Sequence, residues 1–225
     1  MIAFERPGPV NTERIVDIVE HISATCEYIV VASITGDSAV KVASRIKSKT
    51  VCVTCPQGMC WEVDGMNSGS FNDIPELKSI RDQWDRQNLK KVPMEITEDN
   101  RARLQDLSVK IVRGTIPFFG PSFSIRLHLN QMTSLDIIAK TLELISTGTL
   151  VCMECVLMAV DSGVVPEGEK VMALAGTERG LDTAWIVRSS SSANMFHPAK
   201  GFRFIELLAK PGISQLPDVN IEYLR

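Results

Sequence analysis

An α/β domain on a mixed, mostly parallel sheet is the fold class the sequence predicts, and three observations predict it. The runs "YIVVAS" at 28–33 and "TVCVTC" at 50–55 are short, β-branched and apolar throughout, as strands buried on both faces are. Between them Ala39, Val42, Ala43 and Ile46 recur at helical spacing, which makes a β-α-β unit and therefore a parallel pair. The chain then closes on three strand-like runs, "KVMALA", "TAWIVRS" and "FRFIELLA". The last two, linked by "SSSANMFHPAKG", can add an antiparallel element to the parallel core.

The elements follow in order. Residues 11–25, "NTERIVDIVEHISAT", place Ile15, Ile18, Val19 and Ile22 on one helical face, with Asn11 as N-cap and Glu13 in the first turn. The first buried strand breaks at "ITGDS", where Thr35 or Asp37 can cap the next helix. A more polar middle holds a helix over 74–88, built around Ile74, Leu77, Ile80 and Trp84. "TEDNRARLQDL" follows as a short helix with an acidic first turn. "VKIVR" at 109–113 is another strand. The connection "GTIPFFGPSFSIRLHLNQM" reads as a long loop, and such loops are commonly functional or disordered. Thr133 or Ser134 caps "SLDIIAKTLELIS", and an apolar helix covers about 150–162. Without an internal repeat or a Gly/Ser-rich linker, residues 1–210 read as a single domain and 211–225 as a peripheral C-terminal extension.

At 225 residues, 44% hydrophobic and 23% charged, the composition is that of an ordinary globular protein. A formal net charge of −3 supplies no basic field, so neither nucleic acid nor an acidic membrane surface is expected as a partner. "LVCMECVLMAV" at 150–160 is the longest nearly apolar run; it falls short of the ~20 residues a membrane span needs and contains Glu154. The opening residues lack a basic stretch followed by an apolar one, so no secretion signal is read and the expected location is cytoplasmic. Six cysteines in a chain of this length do not form a disulfide framework.

Two glycine-bearing loops carry the functional signal. In "ASITGDSAVK", at 32–41, a strand breaks at Thr35-Gly36 and turns directly into a helix. Its first N–H groups are free for an anion, and Ser33, Thr35 and Ser38 add hydroxyl donors. The simpler alternative is a helix cap with no ligand, since the stretch matches neither G-x-x-x-x-G-K-[ST] nor G-x-G-x-x-G. The second loop, "GTERGLD" at 176–182, is longer than a two-residue hairpin turn. With the Thr183 that follows, it offers Gly176, Thr177, Arg179 and Gly180 as donors, the guanidinium suiting phosphate. Alone it could be only a surface loop; two such loops, each ending a buried strand, fit one anion site at the carboxyl edge of a sheet.

The order "YIVVASITGDSAVKVASRI", "TVCVTCPQG" and "VCMECVLMAVDSGVVPEGEKVMALAGTERGLDTAWIV" resembles the stand-alone pyruvate kinase C-terminal-domain-like proteins and, more distantly, the C-terminal domain of pyruvate kinase. The likeness spans roughly residues 10–210 and weakens over 60–108. It implies a three-layer α/β/α fold with a five-stranded mixed sheet, and a phosphate cradle made of Ser33, Thr35, Gly36, Asp37 and Ser38 with Gly176, Thr177, Arg179, Gly180, Asp182 and Thr183. It further implies a phosphorylated, nucleotide-type ligand, flavin mononucleotide (FMN) being the first candidate. Gly120 and Ser124 match in the long connection, which would then fold over the ligand. A homodimer or higher homo-oligomer is also implied. No catalytic barrel precedes the domain, so phosphoenolpyruvate chemistry is not expected.

Other groups are weighed against plainer roles. Glu154, also matched in that family, would have a raised pKa if buried and could act as an acid or base. A place at the solvent edge or beside an arginine is the simpler expectation. Cys52 with Cys55, and Cys152 with Cys155, are C-x-x-C pairs that could hold zinc or form a redox couple. The first pair lies on or at the end of a strand, with side chains to opposite faces, and the second in a buried helix, where cysteine acts as a small hydrophobe. Cys60 lies nearby, and His21, His128 and His197 are scattered without triad partners. The sequence thus points to a module binding a phosphorylated small molecule without pyruvate kinase activity. A flavin-dependent oxidoreductase and a zinc-stabilised interaction protein are the rival readings.

Overall fold

The computed structural model describes residues 1–65 and 69–212. Along the chain they form β1 (Ile2–Phe4), α1 (Thr12–Ile22), β2 (Tyr28–Ala32), α2 (Asp37–Arg45), β3 (Lys49–Thr54), β4 (Cys60–Glu62), α3 (Ser70–Asp73), α4 (Pro75–Arg86) and β5 (Lys91–Pro93). There follow α5 (Glu98–Asp106), β6 (Lys110–Arg113), α6 (Gly120–Leu129), α7 (Ser134–Glu143), α8 (Thr147–Asp161), β7 (Lys170–Ala175), β8 (Thr183–Arg188) and β9 (Arg203–Pro211).

The α/β class holds, but the main sheet has seven strands rather than five, in the order β1-β9-β8-β7-β2-β3-β6. Only β8 runs against the others: β2 pairs parallel with β3 and β7, β3 with β6, and β1 with β9, while β8 is antiparallel to both β7 and β9. The period of two in the central strands sorts their side chains between two cores. Ile29, Val31 and Cys52 pack with Ile15, Val19, Val42 and Leu104 of α1, α2 and α5 on one face. On the other, Val30, Val51 and Val53 pack with Val156, Leu157 and other residues of α8. Burial on both faces is why these strands read as uninterrupted apolar runs. α8 lies over β7, β2 and β8 and beneath α7, which explains its apolar residues all round.

Several boundaries differ from the sequence reading. β1 carries only three residues and no alternation to mark it; it forms because β9 offers an open edge. A separate antiparallel pair, β4 with β5, packs with the intervening α3 and α4 around Trp61, Phe71, Leu77 and Trp84, in a region where no strand is read. The helix expected over 74–88 is α4, begun by Pro75 at its first turn. The long connection contains α6, ten residues whose weakly segregated apolar side chains hide a helix. Asn11 stands at the N-cap of α1, yet its side chain donates to Arg6 O and Gly8 O instead of capping. α2 is preceded not by Thr35 or Asp37 but by Gly36, in left-handed geometry at φ 92°. Thr133 does cap α7, in a reciprocal capping box with Asp136. β9 runs one residue past the expected domain end at 210, and the tail from 213 lies outside the described residues.

Candidate functional site

A cavity of about 580 Å³ opens at the carboxyl ends of β2, β3 and β7, a volume within the range of small-molecule sites. It forms where the sheet order turns. β2 feeds α2 on one face, whereas α8 covers the other, so both helical layers reach the cavity. The strand ends give Ser33, Thr35, Thr54 and Cys55; α2 gives Asp37, Ser38 and Lys41; α8 gives Thr147, Val151, Glu154, Cys155 and Met158. The β7–β8 loop closes the wall with Gly176, Glu178, Arg179 and Gly180.

Both glycine loops therefore meet at one place. Arg179 Nη2 lies 3.4 Å from Thr35 Oγ1 and from Asp37 Oδ2, and its guanidinium stands 5.9 Å from the centre of the Trp61 ring. Asp37 Oδ2 accepts the Thr35 hydroxyl at 2.6 Å, and Oδ1 accepts Asn100 Nδ2 at 2.7 Å. Burial pushes the Asp37 carboxyl up, but the Thr35 and Asn100 hydrogen bonds and the Arg179 charge outweigh it and hold the group below its ordinary value. No side chain caps the start of α2, although the Ala39 N–H donates to Ser33 Oγ at 3.3 Å. The arrangement is a helix start with hydroxyls and one loosely held guanidinium, where the guanidinium can turn to an anion and the Thr35 hydroxyl can do so only by leaving Asp37.

The remaining cradle residues stand behind the wall. Asp182, fully buried, accepts the Gly8 N–H at 2.9 Å, the Thr177 N–H at 3.2 Å and the Thr177 hydroxyl at 2.8 Å on Oδ2, and the Thr183 hydroxyl at 2.8 Å on Oδ1. Burial raises its carboxyl, and those four hydrogen bonds oppose the rise. Thr177, Asp182 and Thr183 thus shape the loop rather than face the cavity. Gly36 is likewise architectural, and Gly176, although on the wall, has no room for a side chain. A Cβ at Gly36 would stand 2.8 Å from Asn100 Cβ, and one at Gly176 would stand 2.5 Å from Gly180 O. Gly120 and Ser124 are not on the cavity wall. Gly120 begins α6 and its N–H donates to Ile116 O, while Ser124 is exposed. It is Ile116 and the Phe118 backbone, just before α6, that reach the site.

Glu154 overturns the plainer expectation. Its residue is 7% exposed, no described arginine pairs with it, and Oε1 accepts the Phe118 N–H at 3.2 Å. Burial raises its carboxyl to about 7, against the lowering effect of that hydrogen bond. Neither C-x-x-C pair acts as a pair: Cys52 packs with α1 and α2 while Cys55 lines the cavity, and Cys152 Sγ donates to Ala173 O at 3.2 Å while Cys155 lines the cavity from α8. Burial pushes the Cys55 thiol up to about 11 and Cys52 to about 12, away from the thiolate that binds zinc or attacks a disulfide. Among the described residues no group of three or more His, Cys, Asp and Glu is placed to hold a metal ion. Nor is any described helix long and apolar enough to cross a membrane.

Sequence reasoning missed Trp61, Glu178 and Lys41. Trp61 Nε1 donates to Glu178 Oε2 at 3.4 Å, and Glu178 holds a left-handed backbone, φ 62°, which a non-glycine residue seldom adopts. Only the Gly residues flanking Glu178 and Arg179 hinted at that geometry. Lys41 lines the cavity while paired with Glu13 of α1. No protein-family model matches the chain.

Proposed function

We propose that the protein binds a phosphorylated small molecule in this cavity, with the phosphate at the start of α2 and the rest of the ligand against the apolar wall of α8. The observation that carries the reading is Arg179. It comes from the second glycine loop to the first, and its 3.4 Å contacts with Thr35 and Asp37 are long enough to be exchanged for a phosphate oxygen. The resemblance to stand-alone pyruvate kinase C-terminal-domain-like proteins points the same way, and FMN is the ligand proposed first. The Thr35 hydroxyl does donate to Asp37, but that carboxyl is held below its ordinary value and is a weak base, so a binding or regulatory role is preferred to catalysis. A flavin-dependent oxidoreductase would use the same cavity.

The test is an FMN titration followed by flavin fluorescence. Wild type should bind, and Arg179→Ala should bind about tenfold or more weakly, the worth of a charge-assisted hydrogen bond. Equal affinity in the variant sinks the cradle. An absorbance scan and metal analysis of protein purified from cells separate a bound flavin from zinc. We also propose a homodimer or larger homo-oligomer, supported by the exposed Phe123, Leu127, Ile137 and Leu144 of α6, α7 and the turn after them; light scattering decides.

A further inference from the structure

The cavity contains one polar group that a phosphate site does not use. Glu154 projects from the middle of the apolar helix α8 among Val151, Cys155 and Met158, with Ile116 nearby on the wall. Its Oε1 is taken by the Phe118 N–H, whereas Oε2 has no protein partner among the described residues and is not sealed from the cavity. A carboxyl that is more than nine-tenths buried, lines the cavity and has one oxygen without a described protein partner can give that oxygen to a ligand. Glu154 and the α2 start belong to opposite helical layers, so a molecule reaching both would cross the sheet edge.

We propose that Glu154, as a neutral carboxyl, donates its O–H to an uncharged acceptor, a carbonyl oxygen or a ring nitrogen, at the end of the ligand remote from its phosphate. This rests on the reading of the cavity as a small-molecule site and narrows it. The ligand is a phosphate ester with an apolar body whose far end carries a neutral acceptor, not a second anion. The groups around Glu154 favour the protonated form. Glu143 of α7 and Cys155 of its own helix face it, Cys55 faces it from the end of β3, and Glu178 lines the same cavity from the β7–β8 loop. The cations on the wall, Lys41 and Arg179, are held by Glu13 and Asp37. Arg113, near Cys55, is paired with Glu95. Burial and like charge thus act together, and a second anion at this end would meet carboxyls and thiols with no unpaired cation among the described wall residues.

Lumiflavin is a suitable probe, because it carries ring carbonyls but no phosphate to titrate. Wild type should bind it about tenfold more tightly at about pH 6 than at about pH 8, the span over which a group titrating near neutrality loses its proton. Glu154→Gln keeps an N–H donor and the side-chain volume, so it should bind with no pH dependence and within about threefold of wild type at the lower pH. Glu154→Leu should weaken binding about tenfold at the lower pH. Wild-type lumiflavin affinity that is absent, flat with pH or tighter at the higher pH overturns the proposal, and so does unchanged affinity in Glu154→Leu. Arg179→Ala should weaken FMN and spare lumiflavin. If FMN is indifferent to Arg179 while lumiflavin follows pH as stated, the phosphate cradle fails and the role of Glu154 stands.

Discussion

The backbone N–H of Gly8 donates to Asp182 Oδ2 at 2.9 Å, joining residues 174 apart in sequence. Through it the segment between β1 and α1 is fastened to the loop that carries Arg179. The same oxygen takes both donors of Thr177, so one carboxylate organises the second glycine loop.

Replacing that carboxylate should therefore cost both stability and binding. Asp182→Ala leaves the Gly8 and Thr177 N–H groups and two hydroxyls without their acceptor, and a loss of about 2–4 kcal/mol is expected. Urea denaturation measures it. A loss below about 0.5 kcal/mol, the range of an ordinary surface change, would show that the loop does not depend on this group.

Gly36 supports the fold of the first loop more than it contacts a ligand. Alanine there meets a left-handed φ of 92° and places its Cβ against Asn100 Cβ of α5 and Ile96. A destabilisation of about 2–4 kcal/mol is expected from backbone and overpacking together. Thermal unfolding of Gly36→Ala checks it, and an unchanged melting temperature would refute it. Arg179, not either glycine, is the residue whose loss isolates ligand binding.

Ionising Glu154 should weaken the fold in the absence of any ligand. Its carboxyl is raised from 4.5 to about 7, so the folded state holds a proton that the unfolded state has already released in that interval. Stability is then fully present below pH 4.5 and falls as pH rises to about 7, by roughly 2–3 kcal/mol after allowance for relaxation. Glu154→Gln should remove this component. Chemical denaturation of both proteins across the interval compares them, and parallel profiles would contradict the assignment.

The capping box of α7 predicts the opposite sign. Hydrogen bonds from the Thr133 backbone, then from the hydroxyls around it, hold Asp136 at about 2 against an ordinary 3.8. Its contribution is present above pH 3.8 and is lost as pH falls towards 2. Thr133→Ala should cost about 1 kcal/mol at neutral pH and blunt the acid limb of the stability curve. An acid limb unchanged in the variant would count against the coupling.

Much of this architecture was legible wherever the chain is buried on two sides. The β2-α2-β3 unit, α8 and the closing strands announce themselves because few local structures besides buried strands and helices produce unbroken apolar runs and 3.6-residue spacing. The rest depended on distant partners. β1 exists through β9, the β4–β5 pair through the Trp61, Phe71 and Trp84 cluster, and neither carries an alternating pattern of its own. The site divides the same way. Glycine and threonine marked both loops, but spacing could not separate Ser33 and Arg179 on the wall from Thr177 and Asp182 behind it. Nor could it show that Glu154 faces inwards, since a uniformly apolar helix has no polar side from which to judge.

The pairing of Ile2 with Ala209 sets a timetable for synthesis. β1 is made before β9 and has no neighbour until β9 follows, about 10–40 s later at ordinary elongation rates. Gly8 likewise waits for Asp182. The nascent chain can stack α2 on β2 and β3 early, yet the wall bearing Arg179 forms only once the β7–β8 loop has been made. A ligand in the cell would thus meet either no pocket or a finished one.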